Sequence, residues 1–382
     1  MSLFRSFWMG GFECATHINP HGERLDMIAG TEHDKRALED YRLLASQGML
    51  VARDGLRWHL IDHGGQYDFS SFLPMLRAAR EAGVQVIWDL CHYGWPKEID
   101  LLQPEFVERF GKFAGAVARV VRNESDEVPF YAPVNEISFL CWAATRDLIY
   151  PHAEGKDEEI KRQLVRASIA ACEAVWAVDR RARFVYPEPV IHVFTPKDQP
   201  ELAAQTASYN EAQYDAWDMM AGRKSPELGG KEEYLDIIGV NYYHSNQWEH
   251  LSGRLRWEDE PRDPRWIPFH QLLNSVWERY RRPLLVAETS HFGVGRGRWI
   301  REIAAEVCIA VEKKGIPVEG ICLYPVIDRY DWNDRNHWHN SGLWDFRITE
   351  LGMERVLNVP YAEALREVSS SLAGRLLQRC EA

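Results

Sequence analysis

Eight alternations of a short apolar run with a longer amphipathic stretch predict an α/β fold, a single (β/α)8 TIM barrel over residues 1–382. The count of eight favours a closed barrel over an open sheet. No glycine-rich phosphate loop follows the first strand, because Gly10 and Gly11 lack the GxGxxG spacing. No repeat, linker or break in composition divides the chain. We therefore predict one catalytic domain, with its active-site loops on the face where the strands end.

The apolar periodicity assigns the elements in chain order. It predicts strands over 7–15, 49–58, 84–90, a run that ends at Glu136, 183–193, 235–243, a run that ends at Glu288, and 318–324. Helices are predicted over 32–47, 70–82, 158–178, 199–220, 268–280, 299–314 and 362–377. The clearest helix follows the third strand, where one apolar stripe has steps of four and three: Phe106, Phe110, Phe113, Val117 and Val120.

Composition and charge exclude several classes of protein. The chain is 46% hydrophobic and 27% charged, which is typical of a soluble globular protein. Its formal net charge of −12 argues against nucleic acid or an anionic membrane as a partner. The seven cysteines are scattered and odd in number, as reduced thiols are. No signal-peptide core or run of transmembrane length is found. We predict a cytoplasmic protein, and its oligomeric state stays open.

Two carboxylates stand out because each ends a buried strand. Polar or turn-forming residues follow both Glu136 and Glu288. A charge at such a position is costly unless the strand end opens into a cleft, and catalytic residues of a barrel come from these strand ends. Each acid could also be structural, as a helix cap or the partner of an arginine. Two acids that face one another across a site are the groups that cleave a glycosidic bond.

Several segments, in chain order, resemble glycoside hydrolase family 1, the β-glucosidase-like enzymes of clan A. Asn135-Glu136 after the fourth strand and Glu288 after the seventh match the family's acid/base and nucleophile positions. Leu90-Cys-His-Tyr-Gly-Trp-Pro96 is similar to the family segment Leu-Tyr-His-Trp-Asp-Leu-Pro. Gly239-Val-Asn-Tyr-Tyr243 is similar to Gly-Ile-Asn-Tyr-Tyr.

The eighth-strand segment extends the resemblance over nearly the whole barrel. Gly320-Ile-Cys-Leu-Tyr-Pro-Val-Ile-Asp-Arg-Tyr-Asp-Trp332 aligns without a gap to Gly-Tyr-Phe-Val-Trp-Ser-Leu-Leu-Asp-Asn-Phe-Glu-Trp. Arg53 lies where the family has its second-strand arginine. Several ordered matches are more specific than any one of them.

The resemblance implies a retaining glycoside hydrolase that cleaves a β-glycosidic bond and acts from the end of a small glycoside or oligosaccharide. Glu288 would be the nucleophile and Glu136 the acid/base, with Arg53 and Tyr243 keeping Glu288 ionised and Asn135 donating to the sugar's 2-hydroxyl. Substrate-binding roles fall to His17, His92, Asn241, Tyr324, Asp331 and Trp332. No metal or cofactor is implied, and the partner would be a small-molecule carbohydrate.

The sequence also departs from the family pattern. Thr289-Ser290 follows Glu288 where the family has Asn-Gly, Tyr324 replaces the platform tryptophan, and the shorter Asp331 replaces a glutamate. His17 stands in place of the sugar-gripping glutamine. The positions of the chemistry are kept while those that identify the sugar are changed, so specificity for glucose is not implied.

Other interpretations stay open at this point. One is an endo-acting clan A glycanase of cellulase or mannanase type, and another is a lapsed barrel that binds sugars without turnover. Arg53 could form a structural ion pair, and His92 could be a hydrogen-bonded core histidine. His337 and His339 have the spacing of a metal pair but no carboxylate or cysteine cluster beside them, which favours a loop rim. Three tryptophans could line the aglycone side or only pin a long loop: Trp248, Trp257 and Trp266.

Overall fold

Eight parallel strands form a closed barrel, as the sequence predicts. The structure is a computed structural model that describes residues 3–350 and 352–380, with side chains as far as residue 370. The strands are β1 (Trp8–Gly11), β2 (Val51–Gly55), β3 (Gln85–Asp89), β4 (Phe130–Ala132), β5 (Arg183–Pro189), β6 (Ile237–Asn241), β7 (Leu284–Thr289) and β8 (Val318–Leu323). Each strand pairs with its neighbours in sequence, and β1 pairs with β8 to close the ring.

Helices surround the barrel and connect the strands. The longer ones span His33–Ser46, Leu73–Ala82, Pro104–Glu124, Asp157–Trp176, Ala203–Ala212, Phe269–Tyr280, Arg296–Lys314 and Val359–Cys380. Shorter helices span Met27–Gly30, Trp58–Ile61, Ile137–Ala144 and Asp215–Met220. In the described part of the chain, no helix is long and apolar enough to cross a membrane.

A layer of apolar side chains fills the inside of the barrel, and every strand contributes to it. The layer includes Met9, Val51, Ile87, Phe130, Val185, Ile237, Leu285 and Cys322. Side chains alternate along a strand, so the residue two positions further on points the same way. On β2 and β3 that residue is charged and fully buried: Arg53 follows Val51, and Asp89 follows Ile87. The same alternation that points Val51 and Ile87 into the barrel therefore also points Arg53 and Asp89 inward, closer to the C-terminal ends of the strands.

An irregularity in β7 turns Glu288 toward the barrel axis. Ala287 belongs to the interior layer, so regular alternation would send the next side chain outward. The register of β7 shifts between Val286 and Glu288 against β6, and between Val286 and Thr289 against β8. Such bulges re-aim side chains, and Glu288 consequently contacts the inward-facing Arg53.

Several predicted boundaries are corrected by the structure. β1 ends at Gly11 and not at Ala15, and the stretch 199–220 contains a break between two helices. The long loop that carries Trp248, Trp257 and Trp266 contains a short strand, Gln247–Glu249, which pairs in parallel with His192–Phe194. An antiparallel hairpin, Trp344–Thr349 with Gly352–Leu357, was not predicted. Its two strands mix apolar and polar residues, and only Trp344 among them is fully buried. The six cysteines at described side-chain positions are buried thiols.

Candidate active site

A cavity of about 770 Å³ opens at the C-terminal ends of the strands, where the sequence places the active site. Both predicted acids, Glu136 and Glu288, line it, although 152 positions separate them in sequence. The cavity also reaches several aromatic side chains: Tyr93, Phe139, Trp142, Tyr209, Trp248 and Trp332. Aromatic planes next to a pair of acids suit a ligand that has both polar and apolar faces.

Glu288 accepts one hydrogen bond on each of its carboxylate oxygens. Arg53 donates from Nη1 to Oε1 at 2.6 Å, and the Tyr243 hydroxyl donates to Oε2 at 2.7 Å. Only 4% of Glu288 is exposed, so these contacts act in a medium of low dielectric. A cation and a hydroxyl group on opposite oxygens thus fix the orientation of this carboxyl group.

Arg53 is shared among several groups and is itself fully buried. Its Nε and Nη2 donate to the two oxygens of Asp89 at 3.0 and 2.6 Å. Its Nη2 also donates to Asn135 Oδ1 at 2.6 Å. Although burial alone would raise the pKa of Asp89, the Arg53 guanidinium and His92 hold it below its usual value. The arginine therefore orients Glu288 while Asp89 fixes the arginine in place.

Glu136 has no cationic partner among the described residues, and its environment favours the protonated form. It lies four positions beyond β4, with φ 44°, and its N–H donates to the Pro187 carbonyl at 2.9 Å. The Tyr93 hydroxyl contacts Oε2, and Asn241 Nδ2 donates to Oε1 at 3.0 Å. Burial and the nearby Glu288 charge raise the pKa of Glu136 to about 8. The two acids thus have different surroundings: Glu288 contacts a cation, whereas Glu136 contacts neutral donors only.

The end of β6 connects the two acids. Asn241 is the register partner of Glu288 on the neighbouring strand, and its amide reaches across to Glu136. Its Oδ1 is buried and has no hydrogen-bond partner in the described structure. An unpaired buried acceptor is costly, and a ligand hydroxyl would satisfy it. Asn241 does not itself line the cavity, so its contact with substrate stays a prediction.

His92 is fully engaged within the protein. Its Nδ1 lies 2.9 Å from Asp89 Oδ2, and its Nε2 lies 3.1 Å from Asn135 Nδ2. Neither ring nitrogen is therefore left for a sugar hydroxyl, although the ring lines the cavity. The predicted substrate-binding role is less well supported here than the alternative of a hydrogen-bonded core histidine.

Tyr324 lies beneath the cavity against β1. Its ring is parallel to that of His92 and 5.8 Å from it, and the Arg53 guanidinium is 5.3 Å from its centroid. A Cβ on Gly11 would come within 2.1 Å of the Tyr324 ring, so only glycine leaves room for it. The position is consistent with the predicted platform role.

The remaining predicted contacts divide into two groups. Trp332 lines the cavity, and its Nε1 is buried without a partner in the described structure. His17 is buried behind it, with the two rings 4.5 Å apart, and does not line the cavity. Asp331 also lies outside the cavity lining and pairs with His339 at 3.1 Å. The structure thus brings Trp332 to the site, whereas His17 and Asp331 could act only through their neighbours.

Three functional candidates were missed by the sequence analysis. Tyr93 contacts the carboxylate of Glu136 and adopts a left-handed backbone conformation, with φ 67°. Glu13 lines the cavity and pairs with Arg329 at 3.1 Å. Tyr93 follows His92 directly in the segment that carries the resemblance, which was the available signal. Nothing in the sequence connects Glu13 with Arg329.

The three tryptophans of the long loop separate in the structure. Trp248 lines the cavity, on the side of Tyr209, with ring centroids 5.9 Å apart. Trp257 is 1% exposed and packs on Trp299, away from the cavity. Trp266 lies under the guanidinium of Arg262. Only the first of these tryptophans is placed to touch a ligand, and the other two pin the loop.

Two groups of side chains have the composition of a metal site. One consists of Cys14, Asp89 and His92, and the other of His244, Glu258 and His291. In the first group, Arg53 already donates to both oxygens of Asp89, so a metal ion would have to displace a buried guanidinium. That group is a poor site for a cation.

Comparisons with known proteins agree with this architecture. No family model matches the sequence, and no curated protein matches it either. Among solved structures, the chain is similar to a family 1 β-glucosidase from Thermotoga maritima, with a TM-score of 0.73 at 14% identity, over 89% of this chain and 87% of that one. The β-glucosidase of the same organism in complex with glucoimidazole gives a TM-score of 0.71 at 13% identity over the same shares of the two chains.

A second structure is similar over a longer part of the chain. The match to the β-glycosidase of Thermosphaera aggregans covers 97% of this chain and 97% of that one, with a TM-score of 0.71 at 16% identity. At such identities the likeness establishes the (β/α)8 barrel. Activity has to be argued from the site itself.

Proposed function

We propose that this protein is a retaining glycoside hydrolase that cleaves the β-glycosidic bond of a small glycoside or oligosaccharide. The supporting observation is the contrast between its two acids. Glu288 has a cation and a phenol hydroxyl on its oxygens, whereas Glu136 has neutral donors only and a pKa raised to about 8. Glycoside hydrolysis with retention requires one ionised nucleophile and one protonated acid.

In this mechanism Glu288 attacks the anomeric carbon while Glu136 gives its proton to the departing oxygen. A covalent glycosyl-enzyme forms, and Glu288 loses its charge. The Glu288 charge is one cause of the raised pKa of Glu136, so its loss makes Glu136 a better base. Glu136 then takes a proton from the water that attacks the intermediate, and Glu288 is released.

The surroundings supply sites for the sugar. Trp332 lines the cavity, and its buried Nε1 has no partner in the described structure, so a sugar hydroxyl would accept a hydrogen bond from it. Tyr324 offers a ring face below, and Trp248 and Tyr209 line the outer part of the cavity, where an aglycone would lie. The names of similar structures, β-glucosidase and β-glycosidase, agree with this class of substrate.

Trapping of the intermediate tests the proposal. The protein is incubated with a panel of activated 2-deoxy-2-fluoro β-glycosides, and its intact mass and peptide map are recorded. We expect one fluorosugar to add its mass to the peptide that contains Glu288. The variant Glu288→Gln should form no adduct, and its hydrolysis rate should fall at least about 10³-fold.

The other outcomes separate the alternatives. An adduct on another residue would refute the assignment of Glu288. Binding of a monosaccharide inhibitor without any adduct or turnover would indicate a sugar-binding barrel. Labelling only by oligosaccharide derivatives, with cleavage inside a polymer, would indicate an endo-acting glycanase.

A further inference from the structure

Three potential ligand side chains converge at the wall of the cavity, beside the nucleophile. His244 and Glu258 lie in the loop after β6, and His291 follows β7. The nearest imidazole nitrogens and carboxylate oxygen all lie within 4.8 Å of one another. His244 directly follows Tyr243, and His291 lies three positions after Glu288. The group therefore joins the two loops that hold the nucleophile and its phenol partner.

The hydrogen bonds of His291 determine which atoms face one another. Its Nδ1 lies 2.9 Å from the Phe292 carbonyl, which can only accept, so Nδ1 carries a proton. In the neutral ring Nε2 then offers a lone pair, and it lies 3.4 Å from Glu258 Oε1. Two acceptors thus face each other without a donor between them.

Three ligand atoms in this group have no hydrogen-bond partner in the described structure: His244 Nδ1, Glu258 Oε2 and His291 Nε2. His291 is only 4% exposed, so water does not readily satisfy it. A Cβ on Gly295 would come within 2.4 Å of the His291 ring, which shows how closely the ring is held. A fixed ring with a buried lone pair is suited to bind a cation.

We propose that His244, Glu258 and His291 bind one divalent transition-metal ion, with zinc as the best match. Two imidazoles and one carboxylate are common zinc ligands. Ligands at 2.0–2.1 Å from zinc in tetrahedral geometry lie about 3.3 Å apart. The 3.4 Å between His291 Nε2 and Glu258 Oε1 meets that spacing. Both histidines line the cavity and Glu258 does not, so the fourth position, occupied by water, lies on the cavity side.

Among the described residues, Arg254 is the one competing cation in contact with this group, and it leaves the group available. Its Nη2 donates to Glu258 Oε1 at 3.1 Å, which leaves a second lone pair on that oxygen for the ion, and Oε2 has no partner in the described structure. This differs from Asp89, where Arg53 takes both oxygens. A bound ion would fasten the loop after β6 to the loop after β7 and so hold Tyr243 against Glu288.

The test uses the full-length protein after dialysis against a chelator. Zinc and cobalt are titrated in by calorimetry, and cobalt binding is followed by its visible absorption. We expect one ion per chain, an absorption typical of tetrahedral cobalt, and a melting temperature at least about 2 °C higher with the metal. Glu258→Gln and His291→Gln should each weaken binding at least tenfold.

Control variants show whether the effect belongs to this group. His270 also pairs with a glutamate, Glu306, at 2.6 Å but has no second histidine beside it, so His270→Gln should leave binding unchanged. Glu258 is one-quarter exposed, so Glu258→Gln should fold even where His291→Gln does not. Absence of saturable binding, or binding that survives Glu258→Gln, for example at His337 and His339, would overturn the proposal.

Discussion

Two successive residues of β2 enter two different buried charge networks. Asp54 points outward to the helix layer, where it accepts from His33 Nε2 at 2.8 Å and from the Tyr41 hydroxyl at 2.5 Å. His33 Nδ1 reaches Asp40 at 2.8 Å, and Arg355 donates to both Asp40 oxygens at 2.7 and 2.8 Å. Burial alone would lower the pKa of His33, but the two carboxylates raise it to about 9.

Arg53 points inward and belongs to the network at the cavity. It is shared by Asp89 and Glu288, and Glu136 has no cation of its own. The outer network balances two carboxylates with two cations, His33 and Arg355. The inner network has three carboxylates for one guanidinium, and it keeps one of them neutral by raising its pKa.

The difference distinguishes a charge network that stabilises the fold from one that can exchange a proton. A buried network in which every charge is paired holds elements together and has no proton to exchange near neutral pH. A network in which one carboxylate has no cation beside it favours the protonated form of that carboxylate, and a small change in the nearby charge releases the proton. Burial and hydrogen bonding are common to both networks. Only the network around Arg53 has more carboxylates than cations, and this excess indicates function.

The largest expected effect comes from a matched pair of variants, Arg53→Met and Arg355→Met. Each removes a guanidinium from a buried carboxylate, so each should lower the free energy of unfolding by about 3–5 kcal/mol. Only Arg53→Met should also abolish turnover, because it frees Glu288, the proposed nucleophile. Denaturant unfolding and hydrolysis of an aryl β-glycoside by the folded protein measure the two effects. Equal loss of turnover in both variants would contradict the separation of the networks.

The second prediction concerns Glu136→Gln, which should slow hydrolysis but stabilise the fold at alkaline pH. The pKa of Glu136 rises from 4.5 in the unfolded chain to about 8 in the folded protein, so the folded state binds the extra proton between these values. Wild-type stability should therefore fall, relative to the variant, by up to about 1.4 kcal/mol per pH unit from pH 4.5 to 8. Unfolding curves of both proteins from pH 5 to 9 measure the difference.

Glu188 provides the matched control for that variant. It is also buried, with a pKa raised to about 7 by burial, but it accepts from the Ser138 N–H and does not line the cavity. Glu188→Gln should share the gain in stability at high pH. Its turnover should stay near that of the wild type, whereas Glu136→Gln should lose about 10²–10⁴-fold on poor leaving groups. If the difference in unfolding free energy between the wild type and Glu136→Gln does not change from pH 5 to 9, Glu136 is ionised over that whole range.

The eight barrel strands were predictable because most of them are short, mainly apolar runs that are buried along nearly their whole length. The runs overstate strand length, since buried residues such as Phe12 and Cys14 continue into the loops at the cavity. The hairpin of Trp344–Thr349 and Gly352–Leu357 was not predictable from such runs, because it is half-exposed and mixed in polarity.

The two acids could be proposed from their strand ends, but their environments could not. Glu288 faces inward because of the bulge in β7, and no pattern in the sequence predicts that bulge. The contact of Tyr93 with Glu136 joins positions 43 apart, and that of Arg53 with Glu288 joins positions 235 apart. His17 and Asp331 were assigned by alignment alone, and their places outside the cavity lining depend on how the loops pack.

The smallest expected effect is a shift in the pH profile of Tyr93→Phe. The Tyr93 hydroxyl donates to Glu136 and thereby lowers its pKa, although burial and Glu288 keep the net value near 8. Loss of a hydrogen bond to a charged group costs about 1.5 kcal/mol, so the alkaline limb of kcat/KM, which reports the free enzyme, should move up by about one pH unit. Tyr131→Phe is the control, because its buried hydroxyl has no partner in the described structure. A downward shift, or the same shift in both variants, would show that the Tyr93 hydroxyl does not set the protonation of Glu136.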